Sequence, residues 1–99
     1  MQDYFRAKLF DINYNILLHE GAANNRLASQ AIKILLLPIS EVPKKYSKQF
    51  LELIKLIENT MVNLPSPGLT PVKITGIYNK TAVNYIKLLF EIQDYLDHD

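Results

Sequence analysis

Cysteine is absent from this 99-residue chain. That excludes a disulfide framework, a thiolate nucleophile and any zinc site built on Cys. Histidine occurs only as His19 and His98, and glycine three times. No Gly-rich phosphate loop and no Gly-flanked nucleophilic serine can be assembled from them. The longest uninterrupted apolar run is Ile34-Leu35-Leu36-Leu37, closed by Pro38. A membrane span needs ~20 residues. The start, Met1-Gln2-Asp3-Tyr4-Phe5-Arg6, has no basic segment leading into an apolar one, so no secretion signal is read. The expectation is a cytoplasmic protein with no membrane partner. Asn79-Lys80-Thr81 then reads as a helix start rather than a glycosylation acceptor. A charge excess is missing too. The net charge is +1, whereas dedicated nucleic-acid binders carry a strong basic surplus.

What is present has the composition of a soluble globule, 48% hydrophobic and 21% charged. The length suits a single helical domain, 1–99, with one modest core and no staples. Residues 24–63 read as its centre, two apolar-striped helices hinged at Leu37-Pro38-Ile39-Ser40-Glu41-Val42-Pro43.

A first helix is predicted over 3–19. Phe5, Leu9, Ile12 and Ile16 repeat on one helical face. Phe10, Tyr14, Leu17 and Leu18 form a second strip, and so wide an arc predicts packing on two sides. Gly21 reads as a left-handed terminator. Asn24 or Asn25 is the expected cap of a second helix, which Pro38 stops. Ser40 is the expected cap of a third, with Pro43 in its first turn. Tyr46, Phe50, Leu53, Ile57 and Met61 line its inner face. Lys48, Glu52, Lys55 and Asn59 line the outer one, where Lys48–Glu52 or Glu52–Lys55 pairs are expected.

A proline-rich loop over 63–71 follows. After it comes a short extended or helical-turn segment, with Val72, Ile74, Ile77 and Tyr78 laid on the bundle. A last helix opens at Asn79 or Thr81. Its apolar positions Ala82, Ile86, Leu89, Ile92 and Leu96 are flanked by Val83, Leu88, Phe90 and Tyr95, which predicts a helix that is central, sandwiched or partly in an oligomer contact. Asp94, Asp97 and Asp99 stand at the unfavourable end of its dipole, so its last residues are expected to fray. The fold class is an all-α compact bundle of four main helices.

Asn25-Arg26-Leu27-Ala28, Leu35-Leu36 with its Leu-Pro stop, the run Glu41-Val42-Pro43-Lys44-Lys45-Tyr46-Ser47-Lys48-Gln49-Phe50 and the Lys80-Thr81-Ala82-Val83 helix start form a familiar pattern. It resembles a family of small uncharacterised bacterial all-helical proteins of about this length. The resemblance covers most of the chain and rests on helix-boundary residues. It implies the helical fold and supplies no activity and no functional residue.

Catalysis needs several polar side chains brought together. His19 has only Glu20 and Asp11 as neighbours in sequence, and it reads as a helix-end residue bonding carbonyls. A di-iron bundle would need carboxylates and His-bearing pairs on several facing helices, and the inward positions here are Ile, Leu, Phe and Ala. Glu91, Asp94, Asp97 and His98 read instead as a solvated acidic end, so no metal and no cofactor are expected. Lys44, Lys45 and Lys48, with Tyr46 and Tyr78 as stacking groups, form the nucleic-acid lead.

Six tyrosines pair apolar area with polar tips, a composition suited to core margins and interfaces. Basic residues near Lys44 and acidic ones near Asp94 offer complementary ends. The reading is a non-catalytic helical interaction or accessory module that associates as a homodimer or with another protein. Tyr4, Tyr14, Phe90 and Tyr95 are its interface candidates. The alternative is a weak nucleic-acid-binding or regulatory protein using Lys44, Lys45 and Lys48. A third is a small-ligand binder or enzyme near His19.

Overall fold

Phe5, Leu9, Ile12 and Ile16 are fully buried along one side of α1 (Gln2–Leu18). The computed structural model describes residues 2–62, 73–74 and 77–98. After α1 come α2 (Ala23–Ser29) and α3 (Ala31–Leu35), then 3-10 turns at Ile39–Glu41 and Lys44–Tyr46. These lead into α4 (Ser47–Thr60) and, further on, α5 (Asn79–Asp97). The architecture is an all-α globule of four main helices, counting α2 and α3 as one interrupted helix. Its radius of gyration is 13.1 Å, against ~13 Å for a compact chain of this size.

The second predicted helix is broken at Gln30, whose φ of −108° and ψ of 7° leave the helical region. The Ser29 hydroxyl donates to the Arg26 carbonyl at 2.7 Å. Such back-bonding competes with the helical ladder and bends it. Asn24 and Asn25 do not cap this helix, because α2 begins at Ala23 with Ala22 at the cap position. Asn24 is therefore already inside the first turn. Its free backbone N–H donates to Asn79 Oδ1 at 3.1 Å, and its side chain donates to the Ile77 carbonyl at 3.3 Å. One helix start thus caps another. Asn79 opens α5 as expected but spends its side chain on α2.

The third predicted helix starts later than Ser40 suggested. Pro38, Val42 and Pro43 are extended, and the chain advances in 3-10 turns until Ser47. Inside α4 the predicted stripe is buried: Phe50, Leu53 and Ile57, joined by Ile54. Tyr46 is buried just ahead of it, and the Met61 side chain lies outside the described side chains. The Phe5 and Phe50 rings meet edge to face, 6.4 Å apart. Fully burying such a side chain contributes about 1.5–3 kcal/mol. Arg6 to Asp97 and Lys33 to Asp11 pair between elements and His98 stands by Asp94 at the end of α5; among the described residues no pair runs along α4 through Lys48, Glu52 and Lys55.

The proline-rich loop over 63–71, Val72 and Asp99 lie outside the described residues. Met61–Val62 pairs antiparallel with Lys73–Ile74, so the extended alternative holds there and the segment has a backbone partner. Ile77 is buried as expected. Tyr78 is not laid on the bundle; it is 80% exposed.

The packing centre also differs from the expected 24–63 hairpin. The most extensive helix contacts are those of α5 with α2 and with α1, and α5 touches α4 as well. Ala82, Leu89, Ile92 and Leu96 sit in that core. α1 and α5 run antiparallel, tied by Arg6 to Asp97 near one end and Asn13 to Leu89 nearer the other. The Arg6 pair also gives Asp97 a partner at the negative end of the α5 dipole. The second strip of α1 is not packed on another element: Phe10, Tyr14, Leu17 and Leu18 are all exposed.

Candidate functional site

The uncovered strip of α1 borders α5, and the two helices together form one apolar groove. Its floor is the α1–α5 seam, closed by Asn13. This side chain is only 2% exposed, and its Nδ2 donates to the Leu89 carbonyl at 3.1 Å and to Gln93 Oε1 at 2.6 Å. Asn13 Oδ1 has no protein donor. Phe10 and Tyr14, one helical turn apart, stack with centroids 6.2 Å apart and planes 12° from parallel. Phe10 is 56% exposed and Leu17 64%, which is far more apolar surface than a core-facing helix leaves in water.

The groove has two hollows. One lies between Phe10, Tyr14 and Gln93 and ends at Asp94 and Asp97. The other lies between Ile16, Val83 and Ile86 and is also lined by Arg26 and Lys87. Leu17 and Phe90 border both and form the ridge between them. The first hollow thus carries the acidic side chains Asp94 and Asp97 and the second the basic Arg26 and Lys87, with Leu17 and Phe90 between them. Scattered exposed apolar residues are normal, whereas Phe10, Tyr14 and Leu17 lie together beside Phe90 and are rimmed by polar groups.

The basic end is anchored at the α1–α2 corner. Arg26 Nε donates to the Gly21 carbonyl at 2.8 Å, and the Gly21 N–H donates to His19 Nδ1 at 2.9 Å. Gly21 does not adopt the left-handed turn expected of it, and what a side chain there would meet is the His19 ring. A Cβ there would lie 2.7 Å from His19 Cε1. His19 accepts an N–H rather than bonding carbonyls, so its Nδ1 lone pair is engaged, and Glu20 is exposed.

Of the four interface candidates, Tyr14 and Phe90 line this groove. Tyr95 lies elsewhere, its ring edge-on to Tyr46 with centroids 5.8 Å apart. Tyr4 is on the opposite flank of α1, with Lys8 Nζ 5.5 Å from its ring centre and Asp11 and Lys33 nearby. Lys44, Lys45 and Lys48 are exposed. Lys45 Nζ stands over the Tyr46 and Tyr95 rings at 5.5 and 5.8 Å, in a hollow that also holds Glu91, Asp94 and His98. The basic start of α4 and the acidic end of α5 are thus neighbours within one chain.

His98 Nδ1 lies 2.9 Å from the Asp94 carbonyl oxygen and 3.2 Å from its carboxylate. The carbonyl first and the carboxylate second raise the imidazole above its ordinary range. On the α4–α5 side, burial and then the Glu52 charge push the Tyr85 hydroxyl up, so it stays a neutral donor. Among the described residues no three His, Asp or Glu side chains gather as a metal would require. Among them, too, no helix is long and apolar enough to cross a membrane.

The spacing of Phe10, Tyr14 and Leu17 was visible in the sequence. The parts played by Asn13, Gln93, Arg26 and Lys87 were not, since each depends on the neighbour across the seam. Comparison of the chain with protein-family models, with curated proteins and with solved structures found no match.

Proposed function

We propose that the protein is a non-catalytic helical interaction module whose working surface is the α1–α5 groove, and that this groove binds a second copy of the chain. The observation that carries the reading is the uncovered strip Phe10, Tyr14 and Leu17 beside Phe90. Aromatic and aliphatic side chains of this kind anchor protein interfaces once water is excluded from around them. A second copy is favoured as occupant because the groove is self-complementary, with Asp94 and Asp97 at one end and Arg26 and Lys87 at the other. Nucleic acid has less support. Lys45 is engaged with two tyrosine rings and shares its hollow with Glu91 and Asp94, which repel phosphate.

Sedimentation equilibrium of the wild type and of Leu17→Glu tests the reading. The wild type associates reversibly in the micromolar range. Leu17→Glu remains folded, because position 17 is exposed, and is monomeric at the same concentrations. A wild type that stays monomeric at high micromolar concentration, or a Leu17→Glu variant that associates equally well, overturns it.

A further inference from the structure

We infer that the two copies meet about a two-fold axis that lies in the contact plane and crosses the groove, so that Lys87 of each copy pairs with Asp94 of the other. The inference rests on the self-association reading above and adds its geometry. Closed dimers use the same patch on both subunits. A groove on that patch leaves two choices of axis. An axis running along the groove would set acidic end on acidic end and basic end on basic end. An axis running across it sets each acidic end against the other copy's basic end, and like charges held close favour this second choice.

The charges at each end can be followed group by group. At the acidic end Asp97 is paired with Arg6 at 2.9 Å, while Asp94, with His98 3.2 Å from its carboxylate and Lys45 in the adjoining hollow, is the more exposed carboxylate, 77% against 40%, and can take a second partner. At the basic end Arg26 is tied to the Gly21 carbonyl, which leaves the exposed Lys87 ammonium. Lys87 and Asp94 are seven positions apart on α5, about 10.5 Å at 1.5 Å per residue. When two α5 helices cross antiparallel with Lys87 facing Asp94 at both ends, the midpoint falls beside Phe90. That residue and Leu17 form the apolar ridge shared by both hollows. The charge pairing and the apolar centre thus select the same register, with the Phe90 ridge of one copy against that of the other.

Charge reversal with mixing tests this. In sedimentation equilibrium at low salt, Lys87→Glu alone and Asp94→Lys alone each raise the dimer Kd about tenfold, because each places two like-charged pairs across the axis. The neutralising variants Lys87→Gln and Asp94→Asn raise it less, about threefold. An equimolar mixture of Lys87→Glu and Asp94→Lys recovers near wild-type association as a heterodimer, since both of its cross-pairs are again opposite in sign. Far-ultraviolet circular dichroism confirms that each variant is helical. Reversals without effect, or a mixture no tighter than its components, overturn the pairing even if Leu17→Glu still abolishes the dimer. A monomeric wild type overturns the pairing and the reading beneath it together.

Discussion

Asn13 and Gln93 are held 2.6 Å apart across the α1–α5 seam, the Asn13 amide donating to the Gln93 side-chain oxygen. The same amide donates to the Leu89 carbonyl, which gives a helix-interior carbonyl a second donor. A buried amide at this point fixes how α1 lies along α5, because sliding either helix by one turn would leave it unpaired among apolar side chains. The groove above depends on that register.

Asn13→Asp removes the donors and places a carboxylate among carbonyl and amide oxygens at a fully covered position. The expected cost is more than about 2 kcal/mol, from burying an unpaired charge. Asn13→Leu combined with Gln93→Leu removes both partners and is expected to change stability by less than about 1 kcal/mol. Urea unfolding followed by circular dichroism measures both. Equal costs for the two would mean that the Asn13–Gln93 bond does not set the seam.

The pH dependence of the α5 end follows from His98. Its folded-state pKa is raised by the Asp94 carbonyl and then by the Asp94 carboxylate. A raised pKa means that the folded state binds the proton more tightly than the unfolded state. The stabilising contribution is therefore complete below the ordinary imidazole value of about 6.5 and is lost as pH rises through the raised value. An NMR titration of the His98 ring should show a midpoint above that of an unstructured histidine peptide. Asp94→Asn should lower the midpoint without abolishing the shift, because the backbone carbonyl remains. A midpoint at the peptide value in the wild type would remove this contact.

Much of the core was readable from spacing. Phe5, Leu9, Ile12 and Ile16 recur on one face of α1 and are all buried, as are Phe50, Leu53 and Ile57 on α4. These positions depend on helical periodicity alone. Gln30, Ser40 and Asn24 mark where that reasoning stopped. The break at Gln30 follows from a serine hydroxyl competing for a carbonyl. The late start of α4 follows from extended Pro38, Val42 and Pro43. The Asn24 cap comes from Asn79, 55 positions away. Local sequence cannot supply a partner so distant.

The candidate site divides the same way. The apolar strip of α1 and its flanking tyrosines were legible, and Tyr14 and Phe90 do share one groove. Which strip another helix would cover was not legible, since α1 is apolar on both sides and only tertiary packing decides. Tyr95 looked like interface by type, yet it lies against Tyr46 and Lys45 within the chain. Likewise the basic and acidic clusters looked complementary between molecules and proved adjacent within one. The polarity on which the proposed association rests lies instead along the groove, from Asp94 to Lys87.

The most direct test of the central claim is a dilution series followed by two-dimensional NMR of the wild type. Diluting from high to low micromolar concentration should shift the resonances of Phe10, Tyr14, Leu17, Val83 and Phe90. Residues on the Tyr4 flank, such as Lys8 and Lys33, should stay in place. Spectra unchanged with concentration, or changes confined to Lys45, Tyr46 and Tyr95, would contradict the assignment of the α1–α5 groove as the surface that binds a second copy.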